Sequence, residues 1–234
     1  MKMKPRYFIL IFILVCLCTT VFAQVYHVNR IPSGKLSVTG NGESKEWSSA
    51  NELSAFYAPW NTGNVPSTKF YALWDGTWLY CKFVVKDDTI FIFDKNKRKI
   101  DVAGSDRVEM FLNMNDSMRT YYCLELDANG RTLDYSASYY RKVYYDWNWP
   151  AGQLTVKSSR TKDGYIVEYA ISVASLKDLG LLQQKKLHAG LFRAEYTHPP
   201  KNMSDVEWIS WIKPSSATPD FHIPSAFGTL ILND

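Results

Sequence analysis

Three two-residue turns, Asp75-Gly76, Asn129-Gly130 and Asp163-Gly164, punctuate a chain whose intervening segments are short, aromatic and β-branched. Such pairs favour the left-handed backbone of a tight hairpin, and the runs beside them carry little helical spacing. Asp75-Gly76 separates Lys69–Trp74 from Leu79–Val85. Asn129-Gly130 follows Tyr121–Asp127, and Asp163-Gly164 precedes Tyr165–Ile171. Arg107–Asn113, Ala189–Tyr196 and Gly228–Leu232 complete the set of strand-like runs. Alternation in Arg107-Val-Glu-Met-Phe-Leu and in Tyr165-Ile-Val-Glu-Tyr-Ala-Ile predicts strands with one buried face. A single short helix is predicted over Val173–Leu179, stopped by Gly180. Together these runs predict an all-β fold: an antiparallel, jelly-roll-like β-sandwich with long loops and one helix.

The first residues read as an export signal. Lys2, Lys4 and Arg6 precede the apolar run Phe8–Cys18, and Val21-Phe22-Ala23 offers small-residue cleavage. The expected organisation is therefore a signal peptide over 1–23 and one domain over 24–234. A protein so addressed is periplasmic, displayed at the cell surface or secreted. No later run reaches membrane-spanning length, so no membrane span is expected. Three of the 27 Lys and Arg would leave with the leader, so 24 bases would face 23 acids. That near-neutral balance, without a concentrated basic face, argues against nucleic acid as a partner. Cys81 and Cys123 remain, both in strand-like runs, and are expected as buried thiols more readily than as a bridge.

Four stretches then carry a resemblance. Ala72-Leu-Trp-Asp-Gly-Thr-Trp-Leu-Tyr with Val85-Lys-Asp-Asp, Ser105-Asp-Arg-Val-Glu-Met-Phe-Leu, Gly164-Tyr-Ile-Val-Glu-Tyr-Ala-Ile and Ile223-Pro-Ser-Ala-Phe-Gly-Thr-Leu occur in this order. Together they resemble the family 9 carbohydrate-binding modules from about Leu36 to Leu232. The resemblance implies non-catalytic binding of plant-type polysaccharide or its oligosaccharides, structural calcium, and association with xylan-degrading glycoside hydrolases.

In the family, a terminal sugar lies between two tryptophans. By position these match Ala103 and Phe221 here, so one flat face is lost and the other is kept as phenylalanine. The acidic residue of the motif matches Glu109, with Arg107 two positions before it on the same strand. A sugar site needs aromatic faces for C–H surfaces and polar groups for hydroxyls. Trp147 and Trp149, in Asp146-Trp-Asn-Trp-Pro, and Trp60 are candidates to replace the missing ring. The competing expectation is that these rings close the core. Trp74, Trp78, Trp208 and Trp211 are expected between sheets. Arg107, Glu109, Arg193 and Glu195 are alternatively exposed cross-strand ion pairs. Asp106 is expected to fix a turn or a metal, and Asp87 and Asp88 match acidic positions of the family. No ligand set for calcium is assigned from sequence, and the four scattered histidines lack zinc spacing.

Three other functions compete. A glycoside hydrolase would need two facing carboxyls, for which Glu109, Glu125, Glu168 and Glu195 are available. A haem-binding redox module would need Met or His axial ligands converging on a pocket. A structural or adhesive sandwich that has lost sugar binding would explain Ala103. It would bury Trp147, Trp149 and Phe221 in the core.

Overall fold

The computed structural model describes residues 24–61, 63, 65–199 and 206–234. The expected leader, 1–23, lies outside them. Among the described residues twelve strands form: β1 (Val25–Arg30), β2 (Thr68–Trp74), β3 (Trp78–Lys86), β4 (Arg107–Asn113), β5 (Tyr121–Asp127), β6 (Thr132–Ser138), β7 (Lys142–Tyr144), β8 (Leu154–Thr161), β9 (Gly164–Ser172), β10 (Lys186–Glu195), β11 (Glu207–Ser210) and β12 (Gly228–Leu232). All seven expected runs are strands.

The local chemistry explains the turns. Asp75 Oδ1 accepts from the amides of Thr77 and Trp78 at 2.9 and 2.8 Å, while Gly76 takes φ +90°. Gly164 allows β8 to turn into β9. A Cβ there would lie 2.0 Å from the Val85 carbonyl oxygen, which no side chain tolerates. The helix α1 (Val173–Asp178) forms where expected, one residue shorter, with the Ser172 hydroxyl accepting from Ser175 N and Gly180 at φ +72°.

Two sheets face one another. The first runs β7-β6-β5-β4-β10-β12-β1, with β11 beside β12 on the same edge of β10. The second runs β1-β2-β3-β9-β8. Strand β1 belongs to both: Val25–Val28 pair with β12 and Asn29–Arg30 pair with β2, each in parallel. The expected antiparallel sandwich is thus corrected to a mixed one, curled where β1 passes from one sheet to the other. Parallel pairing is possible there because long connections separate β1 from both partners in sequence.

Alternation sorts the side chains into layers. Val108, Met110, Leu112 and Leu124 of the first sheet meet Phe83, Val85, Tyr165, Val167 and Tyr169 of the second in the main core. The outer face of the first sheet carries another buried cluster, including Phe111, Tyr121, Tyr135, Phe192 and Phe221. A third cluster, with Trp47, Leu73 and Tyr80, covers the outer face of the second sheet. Cys81 lies in the main core and Cys123 in the outer cluster. Both are free thiols, held apart by the sheet between them. Trp74 and Trp211 pack in the main core as expected, but Trp78 packs against the third cluster. No helix among the described residues is long and apolar enough to cross a membrane.

Candidate functional site

On β4 the even positions enter the core, so Arg107, Glu109 and Phe111 point to the outer face of the first sheet. β5 sets Glu125 directly opposite Glu109, and β11 sets Trp208 beside Ala194, on the same outer face. The segment after β11 folds back over this face. Phe221 stacks on Phe192, with ring centroids 3.9 Å apart and planes 11° apart. A cleft of about 470 Å³ remains between them, within the range of small-ligand sites. Its floor is Arg107, Glu109, Phe111 and Glu125. Trp208, Phe221, Tyr145, Arg141, Asp220 and His222 stand around it, and Ala103 and Ile100 line one side.

The floor is a buried charge network. Arg107 Nη2 lies 2.9 Å from Glu109 Oε1, and its Nε lies 2.7 Å from Glu125 Oε2. Arg107 Nη1 donates to the Ala103 carbonyl at 2.7 Å, and its guanidinium sits 5.3 Å from the Trp208 ring centroid. All three charged residues are buried, which corrects the expectation of exposed ion pairs; the returning segment and Trp208 cover them. Burial and then the Glu125 charge push the Glu109 carboxyl up to about 8. Burial opposes the charge on Arg107, but Glu125 and Glu109 outweigh it and raise its pKa. With the Glu109 carboxyl holding its proton more readily than an ordinary glutamate beside the Arg107 guanidinium, the floor presents hydrogen-bond donors and acceptors together. The oxygens Glu109 Oε1 and Glu125 Oε2 accept no well-angled hydrogen bond within the protein. His222 is driven down to about 4 by burial, so its imidazole is neutral, with Nδ1 2.8 Å from the Tyr121 hydroxyl.

The structure brings together only some of the predicted residues. Glu109, Arg107 and Phe221 share the cleft. Trp60 lies behind it, 5.1 Å from Phe221 ring to ring, with its indole N–H given to the Ser216 carbonyl. Trp60 thus supports Phe221 and does not line the cleft. Trp149 belongs to the main core and Trp147 packs, part-buried, against it, so neither lines the cleft. Trp149 is 6% exposed and donates to Ser175 Oγ, and Trp147 packs on Tyr122 at 4.8 Å. They face α1 and the interior because Pro150 and the Asp134 carboxylate, which accepts from Trp149 N, turn the segment inward. Sequence reasoning missed Trp208 and Tyr145. Trp208 was expected between sheets, yet its neighbour Ile209 takes the inward position and leaves the indole outside.

At the same end of β4 and β10 as Arg107, one residue before it at Asp106, the carboxyls of Asp87, Asp106 and Glu195 bring ligand oxygens within 4.8 Å of one another, all buried. Asp106 accepts from the amides of Phe91 and Tyr196, fixing two loops to the strand ends. Arg193 pairs with Glu195, and its Nη2 lies 3.6 Å from Asp87 Oδ2, an oxygen that accepts no hydrogen bond. One guanidinium faces three buried carboxyl groups. Burial raises Asp106 to about 7 and Glu195 to about 8.

A curled β-sandwich with an aromatic-walled, carboxylate-floored cleft on one outer face defines a small-ligand binding domain of the carbohydrate-binding type. The sequence matches the model of the carbohydrate family 9 binding domain-like family over residues 38–234, and the chain belongs to that family. No curated protein sequence matches it. Among solved structures, a candidate carbohydrate-binding protein from Bacteroides uniformis superposes with a TM-score of 0.70 at 16% identity, covering 91% of this chain and 100% of its own. A family 9 module from Caldicellulosiruptor kristjanssonii in complex with cellotriose gives 0.59 at 16% identity, covering 89% and 93%. A family 9 module from the same organism in complex with glucose gives 0.56 at 18% identity, covering 90% and 96%. At such identities the structural likeness speaks for the fold.

Proposed function

We propose that this protein binds the neutral sugar units of a plant-type polysaccharide, or of its oligosaccharides, in the cleft over Arg107, Glu109 and Glu125, and does not cleave them. The observation that carries the reading is the combination of flat rings, Trp208, Phe221 and Tyr145, with a floor that both donates and accepts hydrogen bonds. Sugar C–H faces would lie on the rings, and hydroxyls would meet the two carboxyls and the guanidinium. The glucose and cellotriose bound by family 9 structures of this fold support that ligand class. Glu109 and Glu125 stand side by side on one floor, paired to a single arginine, whereas hydrolysis needs carboxyls flanking the scissile bond. This favours binding over the glycosidase alternative. Trp149 and Phe221 are buried and Trp147 packs against the core, as the structural alternative expects, so binding is favoured only by the cleft itself, with Trp208 and Tyr145 at its wall and Glu109 on its floor.

The leader-like first residues support export, to the periplasm, the cell surface or the medium, where such a module would act beside glycoside hydrolases on xylan or related glycans. Calcium fits the second cluster. Asp87, Asp106 and Glu195 offer hard oxygens, three carboxyl groups to the one guanidinium of Arg193, and one oxygen without a hydrogen bond. Bound there, the ion would neutralise the carboxyls and tie the ends of β3, β4 and β10. A thermal shift on adding calcium, reversed by a chelator, checks this.

Calorimetric titration of residues 24–234 with glucose, xylose, cellotetraose and xylotetraose tests the sugar reading. Saturable binding abolished by Glu125→Ala or Trp208→Ala is expected. Silence across all four, with the protein folded, would leave the structural alternative.

A further inference from the structure

The segment from β6 to just past β7 carries four tyrosines, Tyr139, Tyr140, Tyr144 and Tyr145, of which only Tyr145 lines the cleft. Tyr139, Tyr140 and Tyr145 are 56%, 52% and 48% exposed, unusual for rings of this size. Their placement is not random. Val143 pairs opposite Ala137, and Tyr145 packs on Tyr135 at 5.2 Å, so both lie on the outer face with the cleft. Tyr145 and Arg141 line the cleft, and the Tyr140 hydroxyl donates to Asp220, another lining residue. Tyr139 and Tyr140 hold an edge-to-face contact at 5.2 Å, and the Tyr139 amide donates to the Met118 carbonyl, tying the turn to the β4–β5 connection. Tyr144 pairs opposite Ser136 and takes the other face, where the Lys142 ammonium lies 5.6 Å from its ring centroid.

We infer that Tyr139 and Tyr140 form a platform beyond the cleft mouth for the second and third units of the same glycan chain whose end unit fills the cleft. This deepens the proposed function and rests on it. The occupant follows from continuity. One hairpin supplies both the cleft wall and the exposed rings, and Asp220 links the two through a hydrogen bond. A chain leaving the cleft past Tyr145 and Arg141 meets flat apolar faces with hydroxyl rims, the surface that sugar rings stack against. Because the turn is already tied down by Met118 and Asp220, little ordering would be lost on binding.

The test is calorimetry on the wild type and on Tyr139→Ala, Tyr140→Ala, Tyr140→Phe and Tyr144→Ala, with glucose and cellotetraose, then xylose and xylotetraose. In the wild type the tetrasaccharide is expected to bind roughly tenfold more tightly than its monosaccharide. Tyr139→Ala and Tyr140→Ala should remove most of that gain and leave the monosaccharide constant within about twofold. Tyr140→Phe separates the ring from its hydrogen bond to Asp220 and should keep the gain. Tyr144→Ala, on the opposite face, should change neither constant. Equal constants for monosaccharide and tetrasaccharide would overturn the platform while leaving the cleft reading intact. So would a length gain that survives both alanine variants. Loss of all sugar binding in the folded wild type would remove both. Sedimentation at several concentrations adds a further outcome: a dimer that Tyr139→Ala dissociates would make the rings a self-association surface and overturn the inference.

Discussion

Glu109 on β4 lies directly across the strand pair from Glu125 on β5, two carboxyls in register, and a single guanidinium, Arg107, touches both. Like charges placed this way repel, and burial adds to the cost of charging them. The proton that Glu109 retains up to about 8 relieves the repulsion. An ordinary Glu titrates near 4.5, so between about 4.5 and 8 the folded protein holds more protons than the unfolded chain. Stability from this group is therefore full below the lower value and falls as pH rises towards the higher. Glu109→Gln cannot titrate. Its melting temperature is expected to exceed that of the wild type at pH 9 and to match it near pH 5, read by calorimetry across that range.

Removing the cation has the opposite character. Arg107→Met leaves Glu109 and Glu125 facing each other in a buried floor and removes one of the two hydrogen bonds to the Ala103 carbonyl, the other coming from the Tyr196 hydroxyl. A loss of roughly 3–5 kcal/mol is expected, as for other broken buried pairs. Urea unfolding measures it.

The indoles divide by layer. Trp149→Ala empties a core position and should cost about 3–5 kcal/mol in urea unfolding, with sugar affinity unchanged within about twofold. Trp208→Ala, half-exposed at the cleft, should do the reverse. Stability should fall by under roughly 2 kcal/mol and binding should be lost.

His222 supplies a pH marker inside the cleft. Its imidazole is pushed down to about 4 from an ordinary 6.5, first by burial and then by Arg141. The unfolded chain would take up that proton first as pH falls, so the contribution present above 6.5 is lost progressively towards 4. In an NMR titration the His222 ring resonances are expected to hold their neutral positions down to pH 5. Movement centred near 6.5 would contradict the buried environment.

The legible part of the molecule was the part where local chemistry and burial agree. β2, β3, β4, β5, β9, β10 and β12 are apolar-rich runs beside turn signals, and α1 has its serine cap and terminating glycine. β6 and β8 were not legible: Thr132-Leu-Asp-Tyr-Ser-Ala-Ser and Leu154-Thr-Val-Lys-Ser-Ser-Arg-Thr are polar because one face or one edge meets solvent. β1 was hidden because its role, bridging two sheets in parallel, depends on partners at the other end of the chain. In the cleft, Glu109 and Phe221 could be read from motif position. Trp208 and Tyr145 could not, since only the register of β11 with β10 and of β7 with β6 decides which face those rings take.

Ala103 stands where the resemblance to family 9 modules places one of two sugar-stacking tryptophans. Ala103 lines the cleft, half-buried, at the end of the turn Lys99–Gly104, and its carbonyl is already fixed by the Arg107 guanidinium and the Tyr196 hydroxyl. The backbone is thus anchored, and a larger side chain would enter the cleft without pulling the turn away. Ala103→Trp would place a flat ring on the side now formed by Ile100 and Ala103, giving a bound sugar a second apolar face. An affinity gain of roughly tenfold for the monosaccharide is expected, with little change in the added advantage of the tetrasaccharide, because the platform at Tyr139 and Tyr140 is untouched. Weaker binding by a still-folded Ala103→Trp would mean that the space beside Ala103 is itself occupied by the ligand.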